Sequence, residues 1–91
     1  MIGTTKTLDS NTTYKSHTFE FIREGEYKYT GDKFYLVRDI KATKWKYQII
    51  FLSFKNYFHS NGSVETLEEA DEWWNRFCSM HATKTEATQT A

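Results

Sequence analysis

"FYLVRDIKATKWKYQIIFL", residues 34–52, is the stretch on which the fold turns. Two runs of aromatic and β-branched residues flank a short segment rich in lysine, the pattern of a β-hairpin. A loop over 41–44 sets Ile40 opposite Trp45, Leu36 opposite Ile49 and Phe34 opposite Phe51. Each pair is apolar with apolar, and such agreement specifies register, because a one-residue slip turns every side chain to the other face. Trp45, Tyr47, Ile49 and Phe51 then share one face with Phe34 and Leu36, while Lys44, Lys46 and Gln48 point to the other. Lysines for phosphates and rings for bases would make a nucleic-acid grip. This register sets the rings and lysines of "KWKY" on opposite surfaces and weakens that reading.

Working outward, "HTFEFIR" alternates Phe19 and Phe21 with Thr18 and Glu20, as in a half-buried strand. "EGE" follows, and Gly25 can supply the positive φ of a three-residue hairpin loop. A second turn at Gly31-Asp32 sets Tyr29 opposite Phe34, Tyr27 opposite Leu36 and Lys28 opposite Tyr35. Beyond Phe51 the pattern loosens into a turn near Lys55-Asn56, a short strand at 57–59 and a turn at Asn61-Gly62. "TLEEADEWWNRFCSMH" then reads as a helix. Thr66 with Glu69 three residues on forms a capping box, and the early acids suit the helix dipole. Leu67, Ala70, Trp74 and Phe77 recur at helical spacing, widened by Trp73 and Met80. This stripe matches the Trp45 face of the sheet, which is therefore expected to be the core.

The expected class is α+β: a three- to four-stranded antiparallel meander over about residues 17–59, packed against one C-terminal amphipathic helix over about 66–81. Residues 1–15 read as a flexible polar N-terminal arm, 16–81 as a single domain and 82–91 as a disordered tail. Ninety-one residues are few for one core, and an aromatic content of 18% compensates.

Twelve basic and twelve acidic residues cancel, which argues against a dedicated duplex binder. The balance conceals a split. Residues 1–60 carry ten Lys/Arg against six Asp/Glu, whereas 61–80 carry five acids and only Arg76. Such a molecule is electrically polarised and can steer a charged partner. One cysteine excludes an internal disulfide. The polar N-terminus has no signal-peptide core, and no stretch approaches a membrane span. The expected location is the cytoplasm (the host's, if the protein is viral), with no membrane partner.

No catalytic residue, metal ligand or cofactor site is expected. Cys78 and His81 form C-x-x-H, but His17 and His59 complete no familiar zinc spacing. A Cys78–His81 nucleophile pair lacks an orienting third group. The acids at 65–72 suit a solvated helix start better than a calcium loop.

The face away from the helix carries Lys28, Tyr35, Val37, Asp39, Lys46, Gln48, Ile50 and Leu52, with Asp39 opposite Lys46. Tyr35, Val37, Ile50 and Leu52 form an apolar strip that a monomer should not expose. The N-terminal arm or the 54–60 segment could fold over it. Otherwise it is a partner site for a protein, for a second copy in a homodimer, or for bases stacked on Tyr35 between Lys28 and Lys46. Adjacent helical positions lie about 100° apart, so Trp73 and Trp74 cannot both be central. Trp73 therefore belongs at a rim, with Glu68 and Glu72 as neighbouring contacts.

"KWKYQI" followed by a loop, a glycine and the "TLEEA" helix start resembles, over about residues 17–80, the four-strand-plus-helix layout of a family of dimeric single-stranded DNA binders. It is also similar to a three-strand-plus-helix DNA-binding domain that reads a groove with its sheet. Both likenesses are of layout and assign no family. The function expected is that of a small non-enzymatic protein-binding module, such as an adaptor or a phage- or plasmid-type inhibitor of a host protein. The alternative is a single-stranded nucleic-acid binder using Lys28, Tyr35, Arg38, Lys44 and Lys46.

Overall fold

The computed structural model describes residues 3–10, 15–52 and 57–87. They form an α+β fold of six strands and one helix: β1 (Thr5–Ser10), β2 (Ser16–Tyr27), β3 (Lys33–Asp39), β4 (Tyr47–Leu52), β5 (Tyr57–Val64), α1 (Leu67–His81) and β6 (Ala82–Ala87). The expected sheet and C-terminal helix are both present, with more strands than expected. The turn placed at Lys55-Asn56 lies outside the described residues.

The β3–β4 hairpin has the register read from the sequence, with Phe34 paired to Phe51 and Leu36 to Ile49. α1 is also where the spacing placed it. The Thr66 hydroxyl accepts the Glu69 amide at 3.1 Å and donates to the Glu69 carboxylate, which satisfies an end amide the helix cannot. Ala70, Trp74 and Phe77 are buried against Phe34, Leu36 and Ile49. The Phe34 ring lies 5.2 Å from Trp74 and 4.9 Å from Phe77. Leu67 and Met80, expected in this stripe, are exposed instead.

The sheet does not stay open. β1 pairs antiparallel with β2 and, through Asp9–Tyr57 and Ser10–Phe58, parallel with β5. Consecutive antiparallel pairings join β2 to β3, β3 to β4 and β4 to β5. The five strands therefore close into a barrel, and closure removes sheet edges. Inside it Leu8, Phe19, Phe21, Tyr35, Val37, Ile50 and Phe58 form a second core, with Leu52 packed against them. Residues 5–10, read from the sequence as part of a flexible arm, are thus the strand that closes the barrel. Residues 82–87, read as tail, form β6 along the far half of β2.

A bulge at Ile22 lets β2 serve both cores. Phe21 pairs with Val37 and Arg23 with Leu36, so one extra residue sits between them and the strand changes face there. Phe19 and Phe21 point into the barrel, while Arg23, on the helix side, pairs with Asp71 of α1. This corrects the expected "EGE" turn. Gly25 lies inside β2 opposite Phe34, and a Cβ there would come within 2.6 Å of the Phe34 ring. The glycine provides room for a ring rather than a turn. The reversal falls at 28–32, where Gly31 takes φ 79°, so Tyr29 is an exposed turn residue and not the partner of Phe34.

Candidate functional site

Barrel closure decides the fate of the expected outer-face site. Tyr35, Val37 and Ile50 are barrel interior, exposed by 6%, 0% and 0%. Leu52 is half-buried beside them. Gln48 is half-buried, and its side-chain oxygen accepts the Ser60 hydroxyl at 2.9 Å. Burial, with Glu24 facing it, pushes the Tyr35 phenol above its usual pKa. The chain itself covers Tyr35, Val37 and Ile50, so these three are not surface residues. Lys28 lies in the β2–β3 turn over the Tyr29 ring, whereas Lys46 precedes β4. The seven residues of β3 separate them by roughly 20 Å, so they cannot flank one stacked base.

The helix rim fares differently. Trp73 is half-buried against the helix-side core, while Glu68 and Glu72 are exposed. Trp73 lies in a groove of about 350 Å³ between β5 and α1, walled by Gly62, Ser63 and Val64 on one side and Glu69, Glu72 and Arg76 on the other. Gly62 takes φ 129°, and a Cβ there would sit 3.3 Å from the indole. The ring thus rests against strand backbone. It offers an aromatic surface beside two carboxylates and a guanidinium, able to receive a basic side chain with an apolar neighbour.

The second surface is the β3–β4 loop, where the sequence reading fails. Trp45, expected in the core opposite Ile40, is 54% exposed and holds φ 54°. The expected 41–44 loop actually runs from Ile40 to Lys46, because the Asp39 carboxylate ends β3. It accepts the Lys41 amide at 3.1 Å and contacts His17 Nδ1 at 3.1 Å. The Asp39 amide donates to the Lys46 carbonyl at 2.6 Å and closes the loop. Asp39 therefore faces Lys46 through backbone, as expected, but its side-chain partner is His17. Of the other cations in the expected nucleic-acid set, Arg38 pairs with Glu20 at 3.0 Å and Lys44 is exposed in the β3–β4 loop. The signal available beforehand was a tryptophan between two lysines at a hairpin tip.

Among the described residues no group of three or more His, Cys, Asp and Glu is placed to hold a metal. Burial pushes the Cys78 thiol up to about 11, so almost no thiolate is present near neutral pH. The His81 ring packs against Tyr27, Tyr29 and Phe77. No helix among the described residues is long and apolar enough to cross a membrane. Comparison with family models, with curated proteins and with solved structures finds no match in any of the three.

Proposed function

We propose that the protein is a small non-enzymatic module that binds a protein partner through the groove between β5 and α1. One observation carries this reading: a half-buried tryptophan, Trp73, forms part of a groove whose helix wall bears Glu69 and Glu72. Tryptophan in a partly formed pocket is the commonest kind of interface anchor. The surrounding segment, residues 61–80, carries five acids against one base, so the favoured occupant is an extended segment bearing lysine or arginine. Attraction from the acidic face would speed its approach, and contact with the indole would hold it. A role as adaptor or as inhibitor of a host protein is compatible with this surface, and both need only binding.

Selection of displayed random peptides on the wild-type protein, counter-selected on the Glu69→Lys/Glu72→Lys variant, tests the proposal. Both glutamates are exposed; Glu69→Lys gives up the carboxylate contact with the Thr66 hydroxyl, so circular dichroism first checks that the variant is folded. Peptides enriched in Lys or Arg beside an apolar residue, binding the variant about tenfold more weakly, are the expected result, a loss of about 1.4 kcal/mol. Recovered peptides with no charge bias, or with equal affinity for both proteins, would overturn it.

A further inference from the structure

The β3–β4 loop presents a combination the fold itself does not need. A large side chain rarely occupies the left-handed region, and where one does, the surroundings hold it there against its own preference. At Trp45 the surroundings are explicit. The Asp39–Lys46 backbone hydrogen bond fixes the base of the loop. The 6% exposed Asp39 carboxylate ties the loop to Lys41 and to His17 of β2. The conformation so held sends the indole outward rather than into either core, since neither cluster includes Trp45.

Within that loop the charge is all of one sign. Residues 40–46 contain Lys41, Lys44 and Lys46 and no acid. Among the described residues the ion pairs engage Lys33, Arg23, Arg38 and His17, leaving these three lysines outside them. Of the acids nearest in the ladder, Asp39 is engaged by His17 and Glu20 by Arg38, while Glu65, next to the Val64 that pairs with Tyr47, is an exposed acid at the Lys46 end of the loop. An exposed indole on a loop that carries three lysines outside those ion pairs is chemistry for a ligand with flat π-faces and regularly spaced negative charge.

We propose that this loop is a binding site for single-stranded nucleic acid, with one base stacked on Trp45 and adjacent phosphates neutralised by Lys41, Lys44 and Lys46. A single strand is favoured over duplex because a protruding indole needs an unstacked base face. A protein with zero formal net charge also offers little excess field for a duplex backbone. An anionic membrane is the less favoured polyanion, since one tryptophan and Ile40 give little apolar area to insert, and stable membrane attachment takes more than one weak signal. The site shares no residue with the Trp73 groove, so the two proposals stand or fall separately.

The test is fluorescence anisotropy of a labelled mixed-sequence DNA 12-mer titrated with the full chain in 50 and 200 mM NaCl. Three phosphate contacts at a slope of about 0.7 each predict roughly 20-fold weaker binding at the higher salt. Trp45→Ala should lose about fivefold to 150-fold, the range for one stacked base. Lys44→Ala should weaken binding and lower the salt slope by about one contact, whereas Trp73→Phe should leave the affinity unchanged. Circular dichroism confirms that each variant is folded, and Lys44→Glu serves as a second loss-of-binding variant should Trp45→Ala fail that check. No binding at 50 mM salt overturns the proposal. So does binding that Trp45→Ala leaves intact, or a matched duplex bound as tightly as the strand. Binding to anionic phosphatidylserine vesicles without binding to the oligonucleotide would reassign the loop to a membrane and overturn it equally.

Discussion

Truncating Ile50 to alanine probes barrel closure more sharply than any surface change. In the closed barrel Ile50 is 0% exposed and packs among Phe19, Phe21, Tyr35 and Phe58. On an open sheet it would lie on a solvent-facing strip. An isoleucine-to-alanine change in a core costs about 2–5 kcal/mol, combining lost transfer energy with the cavity left behind. The aromatic neighbours are large and rigid, so the site has little means of collapsing, and a cost of about 3–4 kcal/mol is expected. At about 4–8 °C per kcal/mol for a domain of this size, the melting temperature should fall by roughly 12–32 °C. Calorimetry or thermal circular dichroism measures this directly. Ile49→Ala, in the other core at 0% exposure, should cost a similar amount, and Ile40→Ala, at the exposed loop, no more than about 0.5 kcal/mol. An Ile50→Ala protein that melts within a few degrees of wild type while Ile49→Ala is crippled would refute the closed barrel and restore an open outer face.

Gly25→Ala should destabilise by more than the propensity scale suggests. Its new Cβ meets the Phe34 ring at 2.6 Å, and overpacking of this kind costs about 1–3 kcal/mol in denaturant titration; a stabilised variant would contradict the ring-over-glycine packing. Cys78 should react slowly with a thiol reagent in the folded state. With its pKa moved from 9.0 to about 11, the thiolate fraction at pH 8 falls about a hundredfold, and partial burial slows attack further. Folded protein that is labelled as fast as urea-unfolded protein would contradict that burial.

The parts legible in the sequence were those governed by neighbours in the chain. The Phe34–Phe51 hairpin and the Thr66-capped helix each depend on local spacing, and the structure keeps both. The barrel was not legible, because its closing strand offers little pattern. In "TKTLDS" only Leu8 is large and apolar, and the parallel seam with β5 joins residues nearly fifty positions apart through two pairs. Tyr35, Val37, Ile50 and Leu52 are expected to need a cover, and the chain supplies it through Leu8 of β1, Phe19 and Phe21 of β2 and Phe58 of β5. The Ile22 bulge was hidden for a related reason. Two-residue alternation reads smoothly to Phe21, and the glycine that follows has the composition of a turn. Trp45 was misplaced because continuing apolar pairing outward from Leu36–Ile49 ignores Asp39, whose carboxylate ends the ladder early. Of the expected site residues, Trp73 keeps a place at a groove because its position followed from helix geometry alone.

The placement of the three tryptophans bears on the whole account, since barrel, groove and loop each assign one a different environment. Three single-tryptophan variants, with the other two replaced by phenylalanine, should be titrated with acrylamide under native conditions. Trp45, at 54% exposure, should be quenched most and emit furthest to the red; half-buried Trp73 should be intermediate; and Trp74, at 4%, should be protected. A Trp45 as protected as Trp74 would mean that its ring is packed in the core, and would contradict both the loop and the division of surfaces drawn from it.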